Sequence, residues 1–205
     1  MFEFVYRVHS DMTQIRGTPA SGKTTLAKLL QHYIRKKEPG SQVVRISSWR
    51  SEEALATRGG WRKWLAKDST WNSQDGSVLI VDEAQTSYWD VAFWNYIKDI
   101  RNDWRHRIIT LVSYGGSGTD SSVPIPFSPF QRQVVGLRAI DHGDGIEAGL
   151  LLTQDEFQDF VEKRFDSHRF DEHFLDSIYR LTTGHVGACE DLLGTVRSER
   201  VSCTH

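Results

Sequence analysis

Gly17-Thr18-Pro19-Ala20-Ser21-Gly22-Lys23-Thr24 decides how this chain folds. The octet matches GxxxxGK[ST] at every fixed position, the pattern of a phosphate-cradling loop. Its glycines let the backbone turn so that successive N–H groups face an anion. The helix that follows offers its positive N-terminal end to the same anion. The context agrees. A short strand is expected over 13–16, and Leu26, Leu29, Leu30, Tyr33 and Ile34 fall on one helical face before Gly40 ends it. In a loop of this kind Lys23 reaches the β- and γ-phosphates of a nucleoside triphosphate, and the Thr24 hydroxyl coordinates Mg²⁺. Nucleotide contact is expected from residue 17 through Thr25.

Such a loop needs a carboxylate for the metal at the end of a buried strand. Val78-Leu79-Ile80-Val81-Asp82-Glu83 supplies one. Four apolar residues in a row suit a strand covered on both faces. Asp82 is expected to hold Mg²⁺ through water, and Glu83 to polarise the attacking water. Ser113 ends a further apolar strand at 108–112, where a polar side chain would lie beside the γ-phosphate; a strand that simply ends in polar residues is the equal alternative. An arginine on the transferring phosphoryl group also fits this chemistry. Arg132 is the first choice, ahead of Arg138, Arg101, Arg105 and Arg107, although an arginine in such a place is more often a solvated surface residue. No NKxD-type guanine motif occurs, so ATP is preferred over GTP as ligand.

The rest of the chain alternates between strand and helix. Strands are expected at 43–47 and 133–137. Trp89, Phe93, Ile97, Ile100 and Trp104 mark a helix face between 82 and 108. This is the alternation of a parallel α/β sheet flanked by helices. Segments 66–77 and 115–130 read as irregular. Beyond residue 150 the pattern becomes helical. Thr153 and Glu156 fit a capping box. Phe157, Phe160, Val161 and Phe165 follow at helical spacing. Phe174, Leu175, Ile178 and Leu181 make a second stripe, and Val186, Cys189, Leu193 and Val196 a third after Gly184. The expected organisation is a nucleotide-binding core over 1–150 and a small helical subdomain over 151–205.

Composition narrows the class. Among 205 residues, 39% are hydrophobic and 25% charged, ordinary values for a globular domain. No run approaches the ~20 apolar residues of a membrane span, so no membrane partner is expected. The start, 1–10, lacks the pattern of a signal peptide. Cys189 and Cys203 sit in no metal-binding spacing and read as reduced thiols. Residues 1–140 carry 19 basic against 13 acidic side chains, and 141–205 carry 6 against 14. A basic first part suits phosphate ligands, and an acidic end suits a solvated helical face. All seven tryptophans lie between Trp49 and Trp104, some beside arginine and lysine. Stacking on nucleic-acid bases is one reading. Core packing is the favoured one for Trp89, Trp94 and Trp104, and Trp61 and Trp64 stay open.

Several segments together resemble the NTPase domain of the Crinkler effectors of oomycetes and fungi. They are 16–30 (RGTPASGKTTLAKLL), 79–90 (LIVDEAQTSYWD), 93–101 (FWNYIKDIR), 111–118 (LVSYGGSG) and 181–193 (LTTGHVGACEDLL). DEAQTSYWD and TTGHVGA are the more specific of these. The resemblance implies a P-loop NTPase of the additional-strand, catalytic-Glu type, close to STAND and AAA-like ATPases. It also implies a protein secreted by a microbe, acting in the host nucleus or cytoplasm in virulence or symbiosis. In related ATPases a Gly-x-Pro turn of the helical subdomain touches nucleotide. Gly184-His185-Val186-Gly187 occupies that place without the proline, which makes His185 a candidate contact.

Four readings of function follow. An ATP hydrolase could drive a switch or an assembly, with a host protein, nucleic acid or further copies of itself as partner. A nucleic-acid motor is suggested by Asp82-Glu83-Ala84-Gln85, which resembles a helicase box, yet the chain has no room for a second lobe. A nucleotide-gated binding module would hydrolyse little. A small-molecule kinase is disfavoured by Glu83.

Overall fold

The computed structural model describes residues 12–57, 59–68, 76–101, 106–114, 132–141, 147–165 and 170–202. Five strands form one parallel sheet: β1 (Met12–Gly17), β2 (Val43–Ser47), β3 (Val78–Asp82), β4 (Arg107–Ser113) and β5 (Arg132–Val135). Their spatial order is β2-β3-β4-β1-β5. Strand β4 therefore stands between the strand that leads into the phosphate loop and the strand that carries the acidic pair. This is the additional-strand arrangement. A pair of two-residue strands, β6 (Ile140–Asp141) and β7 (Glu147–Ala148), lies antiparallel beyond the sheet; its periodicity is too short to show in sequence.

Seven helices are described: α1 (Lys23–Lys37), α2 (Glu52–Ala56), α3 (Trp61–Asp68), α4 (Val91–Arg101), α5 (Gln154–Phe165), α6 (Glu172–Thr182) and α7 (Val186–Ser202). None is long and apolar enough to cross a membrane among the described residues. Strand β3 is buried at all five positions, because alternate residues face different helix layers. Leu79 and Val81 pack with Phe93, Trp94 and Ile97 of α4. Val78 and Ile80 pack with Ala27, Leu30 and Ile34 of α1. Side chains alternate across a strand, so one apolar run fills both cores.

Helices α5–α7 have their own cluster, in which Phe157, Val161, Leu175, Ile178, Cys189 and Leu193 are buried. Leu150 packs with the sheet and Leu152 with this third cluster, so the chain changes core within three residues. The capping box forms: Glu156 N donates to Thr153 Oγ1 at 3.2 Å, and Thr153 N donates to Glu156 Oε2 at 2.9 Å. Burial raises the pKa of the Cys189 thiol, which meets Thr182 Oγ1 at 3.1 Å. That environment keeps the thiol protonated and structural.

Some periodicity readings need correction. Trp89 is 41% exposed, because α4 begins only at Val91 and Trp89 sits in the preceding turn, where helical spacing does not apply. Trp94 is fully buried as expected. Leu181 is 77% exposed, and the buried position is Thr182, whose hydroxyl donates to Ile178 O at 2.8 Å. Leu29 is half exposed and faces a cavity instead of the core. Helix α3 runs into the segment read as irregular. Trp61 stacks at 4.6 Å from Tyr96 and meets Phe93 edge-on at 5.7 Å, so it packs. The side chain of Trp64, and all of Trp104, Cys203 and 115–130, lie outside the described residues.

Candidate nucleotide site

All five strands of a parallel sheet point their C-terminal ends the same way. The loop after β1, the acidic pair after β3 and Ser113 at the end of β4 therefore meet on one edge, as open α/β sheets arrange their ligand crevices. Register makes this concrete: Gly17 pairs with Ser113, and Tyr114 N donates to Gly17 O at 2.9 Å.

The phosphate loop is tightly wound. Ala20 (φ 59°) and Gly22 (φ 80°) are both left-handed. A side chain at Gly17 would meet the side chains of Ser21 and Leu150, so any larger residue there would push both aside. Ser21 Oγ donates to Thr18 O at 2.8 Å. Lys23 is buried, with Nζ donating to Thr18 O at 2.7 Å and to Gly17 O at 3.5 Å. Burial lowers the Lys23 pKa, and the nearby charges of Glu83 and Asp82 act the other way. The lysine is thus held over the loop, between its carbonyls and two carboxylates.

Asp82 is buried, and its Oδ1 accepts from Glu83 N at 3.1 Å. Glu83 adopts a left-handed backbone (φ 55°, ψ 38°). Such strain persists where surrounding contacts over-determine it, and it concentrates at functional sites. The contacts are visible here: Thr86 N and Thr86 Oγ1 donate to Glu83 O at 2.9 and 3.0 Å. The carboxylate is held separately. Gln85, only 8% exposed, donates through Nε2 to Glu83 Oε2 at 2.5 Å. Its own Oε1 accepts from Ser113 N at 3.2 Å. One amide side chain therefore ties Glu83 to the end of β4. The sequence reading missed Gln85, because its role depends on β4 lying beside β3.

The helical subdomain closes the other side. His185 Nδ1 accepts from Ala188 N at 3.3 Å, and Nε2 lies 2.8 Å from Thr18 Oγ1. With Nδ1 accepting, the proton belongs on Nε2, which donates to Thr18. Gly187 N donates to Ala20 O at 3.1 Å, and a Cβ on Gly187 would come within 2.6 Å of Ala20 Cβ and O. His185 thus touches the loop itself, with no proline in the turn.

These elements enclose an open cavity of about 1400 Å³. Pro19, Ala20, Ser21, Gly22, Lys23, Thr24 and Thr25 line it from the loop, and Glu83, Gln85, Thr86 and Ser113 from the sheet. Gly17, Thr18, Asp82 and His185 are not in the lining, but Gly17 and Thr18 accept from Lys23, Asp82 accepts from Glu83 N and His185 bonds Thr18. Leu26, Leu29, Leu151, Leu152, Phe160 and Val186 make an apolar wall. Two arginines that the sequence reading did not single out, Arg50 and Arg164, also border the cavity.

The preferred arginine fares differently. Arg132 is the first residue of β5, in register with Met12, five residues before Gly17. At ~3.3 Å per residue its backbone lies roughly 16 Å from the site edge. Arg107 likewise starts β4 and is ion-paired with Glu38. Arg138 is exposed and does not line the cavity. The side chain of Arg101, and all of Arg105, lie outside the described residues.

The Thr24 hydroxyl and one or two carboxylates form an all-oxygen set. Mg²⁺ takes such sets together with water and substrate phosphates rather than a full protein cage. The residues present therefore fit Mg²⁺ with a phosphate ligand.

Solved structures share this architecture. Domain III of the replication initiation protein DnaA from Thermotoga maritima superposes with a TM-score of 0.59 at 13% identity, covering 99% of this chain and 82% of that one. AMPPCP-bound DnaA from Aquifex aeolicus gives 0.56 at 12% identity, and a DnaA bound to AMPPCP and single-stranded DNA gives 0.55 at 13%. The fold is that of a P-loop NTPase. The chain covers 95% of itself against these two but spans only 58% of their length. No protein-family description matches the sequence, and no curated protein matches it.

Proposed function

We propose that this P-loop NTPase domain hydrolyses ATP with Mg²⁺, and that its helical subdomain is a switch that responds to the bound nucleotide. The observation that carries the reading is the tie of Glu83 through Gln85 to Ser113, across a cavity from Lys23. A domain that only bound nucleotide would have no use for a clamped carboxylate there. The AMPPCP held by the DnaA structures supports an adenine nucleotide as ligand.

The chemistry follows from the geometry. Backbone N–H groups of the loop and the first turn of α1 receive the phosphates. Lys23 leaves the Thr18 carbonyl for the β- and γ-phosphates. Thr24 and Asp82 would hold Mg²⁺, which supplies positive charge to the phosphate oxygens. Glu83 accepts a hydrogen bond from a water placed in line with the γ-phosphorus. The water oxygen bonds to phosphorus, the bond to the bridging oxygen of ADP breaks, and the water proton leaves by way of Glu83. Positioning and charge carry most of such a reaction. The test is phosphate release from ATP and from GTP with Mg²⁺, with and without DNA. Turnover of ATP above GTP supports the proposal. Tight ATP binding with no release at any protein concentration would leave a nucleotide-gated binding module.

Two substitutions probe the parts. Gln85→Ala is expected to lower kcat by about 10–10²-fold with KM nearly unchanged, since a misplaced catalytic group costs that much while the binding loop is untouched. An equal loss in KM would assign Gln85 to binding instead. Gly187→Val puts a branched side chain against the backbone of Ala20. The subdomain must then lift off the loop. Nucleotide Kd is expected to rise about 10-fold, roughly 1.4 kcal/mol, with α7 becoming sensitive to protease. Unchanged affinity and protection would remove the switch.

The resemblance to Crinkler domains supports a microbial effector acting in a host nucleus or cytoplasm. A fluorescent fusion expressed in host cells reads the compartment, and its exclusion from both would refute this setting. Nucleic-acid-stimulated turnover is the second reading, favoured by the single-stranded DNA on one DnaA structure. The packing of Trp61 and Trp94 removes part of its sequence support, and the DNA arm of the assay decides it.

A further inference from the structure

Two arginines border the cavity, and they are held differently. Arg164 of α5 donates through Nε and Nη2 to Glu190 of α7 at 3.2 and 2.8 Å. Its charge is committed within the helical subdomain. Arg50 has no side-chain partner among the described residues. Its backbone is nonetheless fixed on both sides. Ser48 N donates to Asp82 O at 2.8 Å. Trp49 is 2% exposed, with Nε1 donating to Asp90 Oδ2 at 3.2 Å and its ring edge-on to Phe93 at 4.7 Å. Ser51 caps the next helix by accepting from Ala54 N at 3.2 Å. A guanidinium with no partner among the described residues thus sits on an anchored segment, beside the strand end that carries Asp82 and Glu83, and Arg50 borders the cavity that Lys23 and Ser113 line.

We propose that Arg50 is the cation that meets the outer phosphate of the bound triphosphate, supplied by the same chain that binds the nucleotide. The inference rests on the ATP-hydrolase reading and adds a residue to it. Charge spreads over the outer oxygens of the transferring phosphoryl group. Lys23 approaches from the loop side, and Arg50 approaches from the β2–β3 side. A guanidinium matches two phosphate oxygens at once, which an ammonium does not. The pinned backbone spares Arg50 much of the ordering that a surface arginine would require.

The experiment compares wild type, Arg50→Ala and Arg50→Lys in three measurements: affinity for ADP, affinity for AMPPCP, and ATP turnover with Mg²⁺. For Arg50→Ala, ADP affinity is expected to stay within twofold, AMPPCP affinity to fall about 10-fold, and kcat to fall about 10³-fold. Arg50→Lys should recover part of kcat. Since Arg50 is exposed, its melting temperature should match wild type; if Arg50→Ala does not fold, the Lys variant carries the same comparison. Wild-type turnover in Arg50→Ala, or equal weakening of ADP and AMPPCP, overturns the proposal. Mixing Arg50→Ala with Lys23→Ala tests its origin. Lys23→Ala subunits keep Arg50 but lose their own nucleotide, so recovered activity would mean that Arg50 acts across subunits and the same-chain claim is wrong. A wild type that binds AMPPCP without turning over ATP sinks the hydrolase reading alone, and the AMPPCP-to-ADP ratio still decides Arg50. A wild type that binds neither nucleotide sinks both.

Discussion

Glu83→Gln is expected to leave ATP binding intact and to lower kcat by about 10³-fold. The two side chains have the same shape, and both can keep the left-handed backbone that Thr86 holds in place. A glutamine carbonyl can still accept from Gln85 Nε2, so the tie to Ser113 survives. What is lost is the charge that draws the proton from the attacking water. General-base groups of this kind contribute about 10²–10⁴-fold. The loop residues that receive the phosphates are untouched, so Kd for ATP should stay within twofold. The check is a paired measurement of single-turnover phosphate release and fluorescent-nucleotide affinity, with ATP persisting on the variant long after the wild type has converted it. A kcat within threefold of wild type would mean that Glu83 is not the base, and that its clamp has another purpose.

How much of this site could be read from the chain depends on the range over which each residue acts. The loop at 17–24 and the pair Asp82-Glu83 are local patterns tied to a strand end, and the structure brings residues 19–24 and Glu83 to one cavity. Ser113, which the sequence leaves open between a phosphate neighbour and a plain strand end, borders the same cavity. Gln85 was not legible. Its two hydrogen bonds join the end of β3 to the end of β4, and nothing in the spacing of residues 83, 85 and 113 says that those strands are neighbours. Arg50 was missed because the stretch after β2 has no motif; its place follows from Trp49 being buried against Phe93. Arg132 draws attention in the sequence because it flanks a strand. A flanking residue has two fates in a parallel sheet, and a residue that starts the strand is carried to the far edge. The misplaced tryptophan has a similar origin: Trp89 fits the period of α4 but precedes its first turn. Periodicity gives the face of an element, while boundaries and strand order decide what that face meets.

Lys23→Ala should remove nucleotide binding while leaving the fold as stable as before, and these two outcomes have one cause. Lys23 is buried, and desolvation lowers its pKa. The folded protein therefore holds this ammonium at a cost, which the charges of Glu83 and Asp82 reduce. A group with a depressed lysine pKa does not stabilise the folded state as pH falls; it opposes folding once the unfolded chain would be protonated. Its removal takes away that cost. The Thr18 carbonyl loses one donor but keeps Ser21 Oγ at 2.8 Å, so no orphaned acceptor is created. Melting temperature should stay within a few degrees of wild type. Ligand response should not. At 100 times Kd, a ligand stabilises the folded state by about 2.7 kcal/mol. For a chain of this size that raises the melting temperature by roughly 5–10 °C. ATP with Mg²⁺ should produce such a rise in the wild type and none in Lys23→Ala, and turnover should disappear with it. A variant that melts lower but still responds to ATP would assign Lys23 to structure, since only a residue that meets phosphate loses the response and keeps the fold.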